Sequence, residues 1–338
     1  MIKNKKANFE LFLQEKAGAK PPVGFFQHFV PAAEHHYALT QDDVMPRVLQ
    51  GQKEFINKYQ PDFIKIMSDG FFSPPSMMEH PINSVADLDL LQPAPHDHPW
   101  FSQQVEYVRK IREFVGPDQV IFYSIFSPMN YIRLRFAEVE ADDDKFPRLF
   151  MEDPDRMLRA LNAITQDALH LVKVLSEEGS ADGFYYSVQS VQHPAADEAW
   201  HNKYVKPSDL EVARAMHEAN KLIMLHICGW GDFTNPIPWY VDYPSDLVNW
   251  ATHAEHLSLK EGKALFNKPV IGGFNNDPGT LIYTGTKEEL KAEIFRLLDE
   301  TGMVGVGIGA DCTLGDSLEA WRISYVQEVV QEYFDTHQ

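Results

Sequence analysis

The residues best suited to chemistry in this chain are few. The stretch 225–232, LHICGWGD, sets Cys228 two positions after His226, and Cys228 is one of only 2 cysteines among 338 residues. The other, Cys312, lies 84 positions further on, directly after the run GVGIGAD. Residues at i and i+2 of an extended segment project to the same face, so a strand carrying the pair offers an imidazole and a thiol side by side. With the second cysteine brought alongside, the set is Cys2His, which is a donor set of catalytic zinc sites that keep a fourth position open. Two thiolates cancel the double charge of such an ion and the neutral imidazole adds none. A third thiolate, from a substrate, would then keep much of its nucleophilicity, so the site would activate thiols better than it polarises carbonyls. Cysteine also serves as a small buried hydrophobe, and a lone His-x-Cys fits that role equally. A cysteine nucleophile has less support, because no single His and Asn/Asp set is marked out to activate it.

Bringing positions 228 and 312 together requires a fold that gathers strand ends. Short apolar or β-branched runs alternate with segments of helical spacing along the chain. Eight strands are predicted, over 23–29, 62–67, 119–125, 182–188, 222–227, 246–251, 269–274 and 304–309. Several are apolar on both faces, as VIFYSI and LIMLHI show, which suits strands sandwiched between a core and a helical layer. Helices are predicted over 42–59, 99–115, 155–178, 207–219, 258–266, 287–301 and 316–334, several opening on Asp, Ser or Pro as helix starts do. Continuous β/α alternation implies a parallel sheet. Eight strands in more than about 250 residues favour a closed (β/α)8 TIM barrel over an open doubly wound sheet. No composition shift or Gly/Ser linker divides the chain, so a single domain over 1–338 is expected, with loop insertions at about 71–98 and 127–154. Loops of that length usually cover a site or carry function.

In such a barrel the chemistry sits at the C-terminal mouth of the strands. Polar residues recur there: His28, Ser68 and Asp69, Gln189, His226 and Cys228, Asn249, Asn275 to Asp277, then Asp311 and Cys312. Any one of them alone is commonly a cap or loop residue. Two further histidine groups, His35-His36 and His96-Asp97-His98, lie in Pro-rich contexts and read as solvated loop. GVGIGAD has a G-x-G but no following βαβ unit, so a dinucleotide site is rejected, and its glycines read as allowing close backbone approach beside Cys312.

The chain carries 49 acidic and 30 basic residues, a formal net charge of −19, with no basic stripe. Nucleic acid and anionic membrane are therefore poor partners. No apolar run reaches the roughly 20 residues of a spanning helix, and the start, MIKNKKANFELFLQEK, places charges where a signal peptide needs an apolar core. A cytoplasmic location is expected, where two cysteines suit metal binding or chemistry better than cross-linking.

The stretches LHICGWGD, DLVNWA, KPVIGGFNND and GVGIGADCTLGDSLEAW, with PDFIKIMSDGFF and ADGFYYSVQS upstream, resemble the uroporphyrinogen decarboxylase superfamily in order and over nearly the whole chain. The resemblance implies a TIM barrel with its site at the C-terminal mouth. One branch of that superfamily comprises porphyrinogen decarboxylases, which use an N-terminal Arg-Gln-Ala-Gly-Arg stretch to hold substrate carboxylates. Here the matching residues are Phe26-Gln27-His28-Phe29-Val30-Pro31, so both arginine forks are missing. Asp69 does fall where the decarboxylase aspartate is expected, which keeps metal-free decarboxylation of a tetrapyrrole or smaller acid as the alternative.

The other branch comprises zinc-dependent methyltransferases acting on methylated corrinoids and thiols of the coenzyme M type. Its marker is His-x-Cys followed far downstream by Cys, matched by His226, Cys228 and Cys312. This resemblance implies Zn²⁺ on those three residues and a small-molecule thiol acceptor. The methyl donor would be a methylcobamide corrinoid, with a corrinoid protein as partner. Asp69, Gln189, Asn249 and Asn275 would orient the thiol or the ligands. A homodimer is plausible from the family. A third reading, a non-catalytic barrel that sequesters a corrinoid or thiol through the same site, also fits the residues.

Overall fold

The computed structural model describes residues 4–337. Eight parallel strands form its centre: β1 (Val23–Gly24), β2 (Ile64–Ile66), β3 (Ile121–Phe126), β4 (Gly183–Val188), β5 (Leu222–Ile227), β6 (Leu247–Trp250), β7 (Val270–Phe274) and β8 (Val306–Ala310). Their order is β1-β8-β7-β6-β5-β4-β3-β2, the sequential winding of a (β/α)8 barrel. At the seam between β1 and β2, Asp62 holds the two together. Its backbone N–H donates to Val23 O at 3.4 Å, and its carboxylate accepts from Val23 N at 2.9 Å.

Every predicted strand is present: Leu222–Ile227 has the expected bounds, the third and eighth start later but run one residue further, and the others are trimmed. The first is the most shortened, to two residues, because beyond Gly24 the chain leaves the ladder and Gln27 makes only an isolated bridge to Leu314. The glycines of GVGIGAD serve the close approach expected of them: a Cβ at Gly309 would stand 2.7 Å from Gly24 O, so β8 can lie against β1 only without side chains there. Helix 155–178 is realised as Pro154–Val174 closed by a π turn, Leu175–Gly179, and helix 316–334 begins only at Trp321. The helix Lys5–Leu13 was not anticipated, because its charged, short sequence lacks a long apolar stripe. It nonetheless buries Phe9 and Phe12 fully.

Those two rings close the lower end of the barrel. Phe9 meets Phe63 at 5.2 Å and Phe122 at 5.9 Å between ring centres, in the tilted geometry that aromatic pairs favour. Above them Phe26, Tyr185, Met224, Leu247 and Ile271 fill the interior. A second, larger core lies between the strands and the outer helices. Together the two account for the double-sided apolar strands of the sequence.

Both long insertions gather at the mouth. Segment 71–98 contains the helix Pro75–Glu79 and the 3-10 turn Val85–Leu90, and segment 127–154 contains the helices Pro128–Leu134 and Lys145–Glu152 with a π turn, Arg135–Val139, between them. They touch where Arg135 donates to Met77 O at 3.1 Å. Among the described residues, no helix is long and apolar enough to cross a membrane.

Candidate metal centre

His226 is the fifth residue of β5, in register with Ser187 of β4 and Asn249 of β6. Its ring faces the barrel interior and is almost wholly buried. Cys228 follows on the same face just beyond the strand, its N–H donating to Val188 O at 3.1 Å. Cys312 follows β8. The two sulfurs are 3.9 Å apart, and the ligand atoms of His226, Cys228 and Cys312 all lie within 4.8 Å of one another. Three strands separate the cysteines in sequence, yet barrel closure makes them neighbours.

Asn249 orients the imidazole. Its amide nitrogen donates to Ile271 O at 2.8 Å and Ala310 O at 3.1 Å, which fixes which way the amide faces. Its Oδ1 is then left to accept from His226 Nδ1 at 2.6 Å and from the Tyr185 hydroxyl at 3.1 Å. Since an amide oxygen only accepts, His226 carries its proton on Nδ1. Nε2 therefore presents a bare lone pair, and among the described residues that buried atom has no hydrogen-bond partner. A buried orphan acceptor next to two sulfurs is costly unless something fills it, and a thiophilic cation with imidazole affinity is the fitting occupant. Tyr185 also stacks on the imidazole, ring centres 4.9 Å apart.

The sulfurs are held as firmly. Gln189 Nε2 and Asn235 Nδ2 both donate to the Cys228 carbonyl, at 2.8 and 2.9 Å. Asp311, immediately before Cys312, accepts from Thr252 Oγ1 at 2.6 Å and from His253 N and Nδ1 at 2.9 and 2.8 Å. The hydrogen bond between the thiols makes Cys312 the readier to ionise, well below the ordinary thiol range, and leaves the proton on Cys228, whose thiol is pushed well above it.

Beside Cys228 opens a cavity of about 330 Å³, lined among others by Phe126, Asn130, Arg133, Gln189 and Trp230. Arg133 is buried, its guanidinium 4.4 Å over the Trp230 ring and 2.9 Å from Asp143. Asn130 Oδ1, on the same wall, has no hydrogen-bond partner among the described residues. Burial works against the charge on Arg133, and Asp143 offsets it.

The residues expected at the mouth divide clearly. His226, Cys228, Cys312, Asn249 and Gln189 come together. Asn275 does not join them: its Oδ1 caps the Asp277 N–H at 2.8 Å, a local turn. Asp69 is buried, but both its carboxylate oxygens are committed, to His28 Nδ1 at 2.8 Å and Phe29 N at 2.7 Å. A carboxylate so engaged is poorly placed to stabilise a protonated decarboxylation intermediate. His35 and His36 correct the reading of a solvated loop, since both are buried and both contact Glu138 Oε2, at 3.0 and 3.2 Å. The proline-rich loop folds inward because the π turn Arg135–Val139 supplies that carboxylate. His96 and Asp97 are exposed as expected, whereas His98 is half-buried and caps the helix Pro99–Val115, its Nδ1 accepting from Trp100 N at 3.1 Å. Sequence reasoning missed Tyr185, Arg133, Asn235 and Trp230. Trp230 stood in the quoted LHICGWGD, but only the contact with Arg133 gives it a task.

No family model matches the chain. In sequence it is similar to the methylcobamide:CoM methyltransferase MtbA of Methanosarcina mazei, 24% identical over 236 residues, a stretch that covers 70% of this chain and 66% of that relative. In structure it is similar to a methyltransferase from Methanosarcina mazei, with TM-score 0.69 at 15% identity over 98% of this chain and 99% of that one. A B12-independent methionine synthase from Shewanella sp. W3-18-1 shares the barrel with TM-score 0.57 at 14% identity, over 94% of this chain and 99% of the other. Sequence similarity to the first and the barrel shared with the two solved structures agree with the resemblance carried by the motifs at both strand ends.

Proposed function

We propose that this protein is a zinc-dependent methyltransferase that activates a thiol acceptor for attack on a methyl group from a methylated corrinoid, with a corrinoid protein as its donor and partner. The observation that carries the reading is the orphaned Nε2 of His226, buried within 4.8 Å of two cysteine sulfurs. His226, Cys228 and Cys312 would hold the ion. When bound, zinc supplies Lewis acidity that makes a thiol a thiolate at neutral pH.

The chain's own residues do the rest. Asn249 keeps the imidazole in the tautomer that offers Nε2, in the way a buried partner usually orients a metal-binding histidine. Gln189 and Asn235 hold the backbone that aims Cys228, and Asp311 holds the backbone that aims Cys312. The cavity walled by Arg133, Gln189 and Asn130 accepts the tail of a small thiol next to Cys228. There the acceptor sulfur forms its bond to the methyl carbon as that carbon's bond to the donor breaks, and the bonding pair stays with the donor. The thiol's proton has by then left to solvent. The relative's printed name, a methylcobamide:CoM methyltransferase, supports this donor and acceptor class.

Metal content decides the reading. Elemental analysis of the purified full chain should find one zinc per molecule, lost in the double variant Cys228→Ser, Cys312→Ser. A zinc-free wild type, or full zinc retention in the double variant, would refute it. The decarboxylase alternative predicts turnover insensitive to chelators and abolished by Asp69→Ala.

A further inference from the structure

Lys65 is the second residue of β2 and points into the barrel, in register with Phe122. It is 6% exposed. Among the described residues its ammonium makes no salt bridge and no hydrogen bond; its neighbours are aromatic faces. Nζ lies 3.7 Å from the centre of the Tyr185 ring and 5.1 Å from that of Phe26. Phe63 and Met67 flank it along its own strand, and both are buried. A lysine in such a sleeve is expensive, because a buried charge normally requires a partner, and cation–π contact recovers only part of the lost hydration. Nothing in the packing requires it, since methionine has the same reach and no charge.

The charges that face it identify its task. Burial pulls Lys65 down to about 8, and the groups that oppose this by favouring its charged form are Cys312, Cys228 and, after them, Asp69. Asp69 is already engaged by His28 and the Phe29 N–H, so the sulfur pair is the charge left for Lys65 to serve. Tyr185 lies between, with one face under the ammonium and the other contacts on His226 and Asn249.

We propose that Lys65 is a positioning residue that makes the centre select an anionic thiolate as fourth ligand over a neutral one. The inference rests on the zinc reading above. A divalent ion with two thiolates is neutral, and a third thiolate brings the cluster to −1. Arg133 on the cavity wall beside Cys228 is already paired with Asp143, so Lys65 is the cation left to restore neutrality when the fourth ligand is an anion. At an effective dielectric near 20, an attraction across the barrel interior of this kind amounts to roughly tenfold in affinity.

The test uses the full chain loaded with Co²⁺, whose absorption spectrum reports its ligands, in wild type and Lys65→Met. Two probes are titrated, 2-mercaptoethanol as a thiol without a charged tail and imidazole as a neutral ligand. The expected result is that Lys65→Met binds Co²⁺ and Zn²⁺ normally and melts at a higher temperature than wild type. Its affinity for 2-mercaptoethanol relative to imidazole should fall about tenfold or more, with the pH midpoint of thiol binding displaced upward. A smaller change in the thiol-to-imidazole ratio overturns the proposal. So does loss of fold or of metal in Lys65→Met, which would show that the ammonium has a structural task. Failure of the zinc reading is separate, because there the wild type itself takes up no metal.

Discussion

Replacing Asn249 by Leu tests the ligand geometry most sharply. The side chain makes four polar contacts, to His226 Nδ1, the Tyr185 hydroxyl, Ile271 O and Ala310 O, between 2.6 and 3.1 Å. Leucine fills the space and removes all four. Each buried group left without a partner costs about 1–3 kcal/mol. The two carbonyls lie in strands and, among the described residues, the Tyr185 hydroxyl has no second partner to turn to, so a stability loss of about 2–4 kcal/mol is expected. The effect on the metal is separable. Without an acceptor at Nδ1 the imidazole no longer commits to one tautomer or ring angle, and loss of such an orienting partner typically weakens metal binding 10- to 100-fold. Chelator competition at low temperature, with circular dichroism confirming the fold, measures this directly. If folded Asn249→Leu holds zinc within about twofold of wild type, then Asn249 does not set the imidazole, and the argument from the orphaned Nε2 fails with it.

Other consequences are independent of the metal. Asp209 is fully buried, burial pushes its carboxyl up to about 8, and the Tyr243 hydroxyl at 3.1 Å and the Ser127 side chain only partly oppose this. The folded protein thus holds a proton that the unfolded chain releases near pH 4. Stability is present below that pH and is lost as pH rises toward 8, by on the order of 4 kcal/mol at pH 7. Asp209→Asn should remove that slope in urea melts between pH 5 and 8, and an unchanged slope would count against a protonated Asp209. Glu138 is the opposite case: burial alone would raise it, but hydrogen bonds from His35 and His36 bring it down to about 2. Its contribution is present above the unfolded value near 4.5 and lost as pH falls toward 2. Glu138→Gln should therefore destabilise by about 2 kcal/mol at pH 7, less than a fully buried pair would because Glu138 is partly exposed, and should converge with wild type only as pH falls to about 2 and below. Arg133→Met should raise the KM for the thiol acceptor while leaving zinc content unchanged; an equal KM would exclude the cavity beside Cys228 as the acceptor site.

The sequence by itself determined the periodic elements and the donor residues. Strands apolar on both faces and helices between them can satisfy their backbones and bury their apolar surfaces only as a parallel sheet under helices, and eight of them close on themselves. His226 and Cys228 share a face because strand periodicity is two, and the placement of Cys312 after the last strand follows from the same count. Local patterns could not show which polar side chain meets which. Asn249 and Asn275 looked alike in the sequence, yet one reaches into the barrel to fix His226 and the other caps its own turn. His35 and His36 looked like loop histidines and became buried because Glu138, about a hundred residues later, folds over them. Lys65 sat unremarked in an apolar strand. Only closure of the barrel, which brings β2, β4, β5 and β8 to one interior, sets its unpaired charge near two cysteine sulfurs, because contacts across a barrel depend on strand register and tilt rather than on separation along the chain.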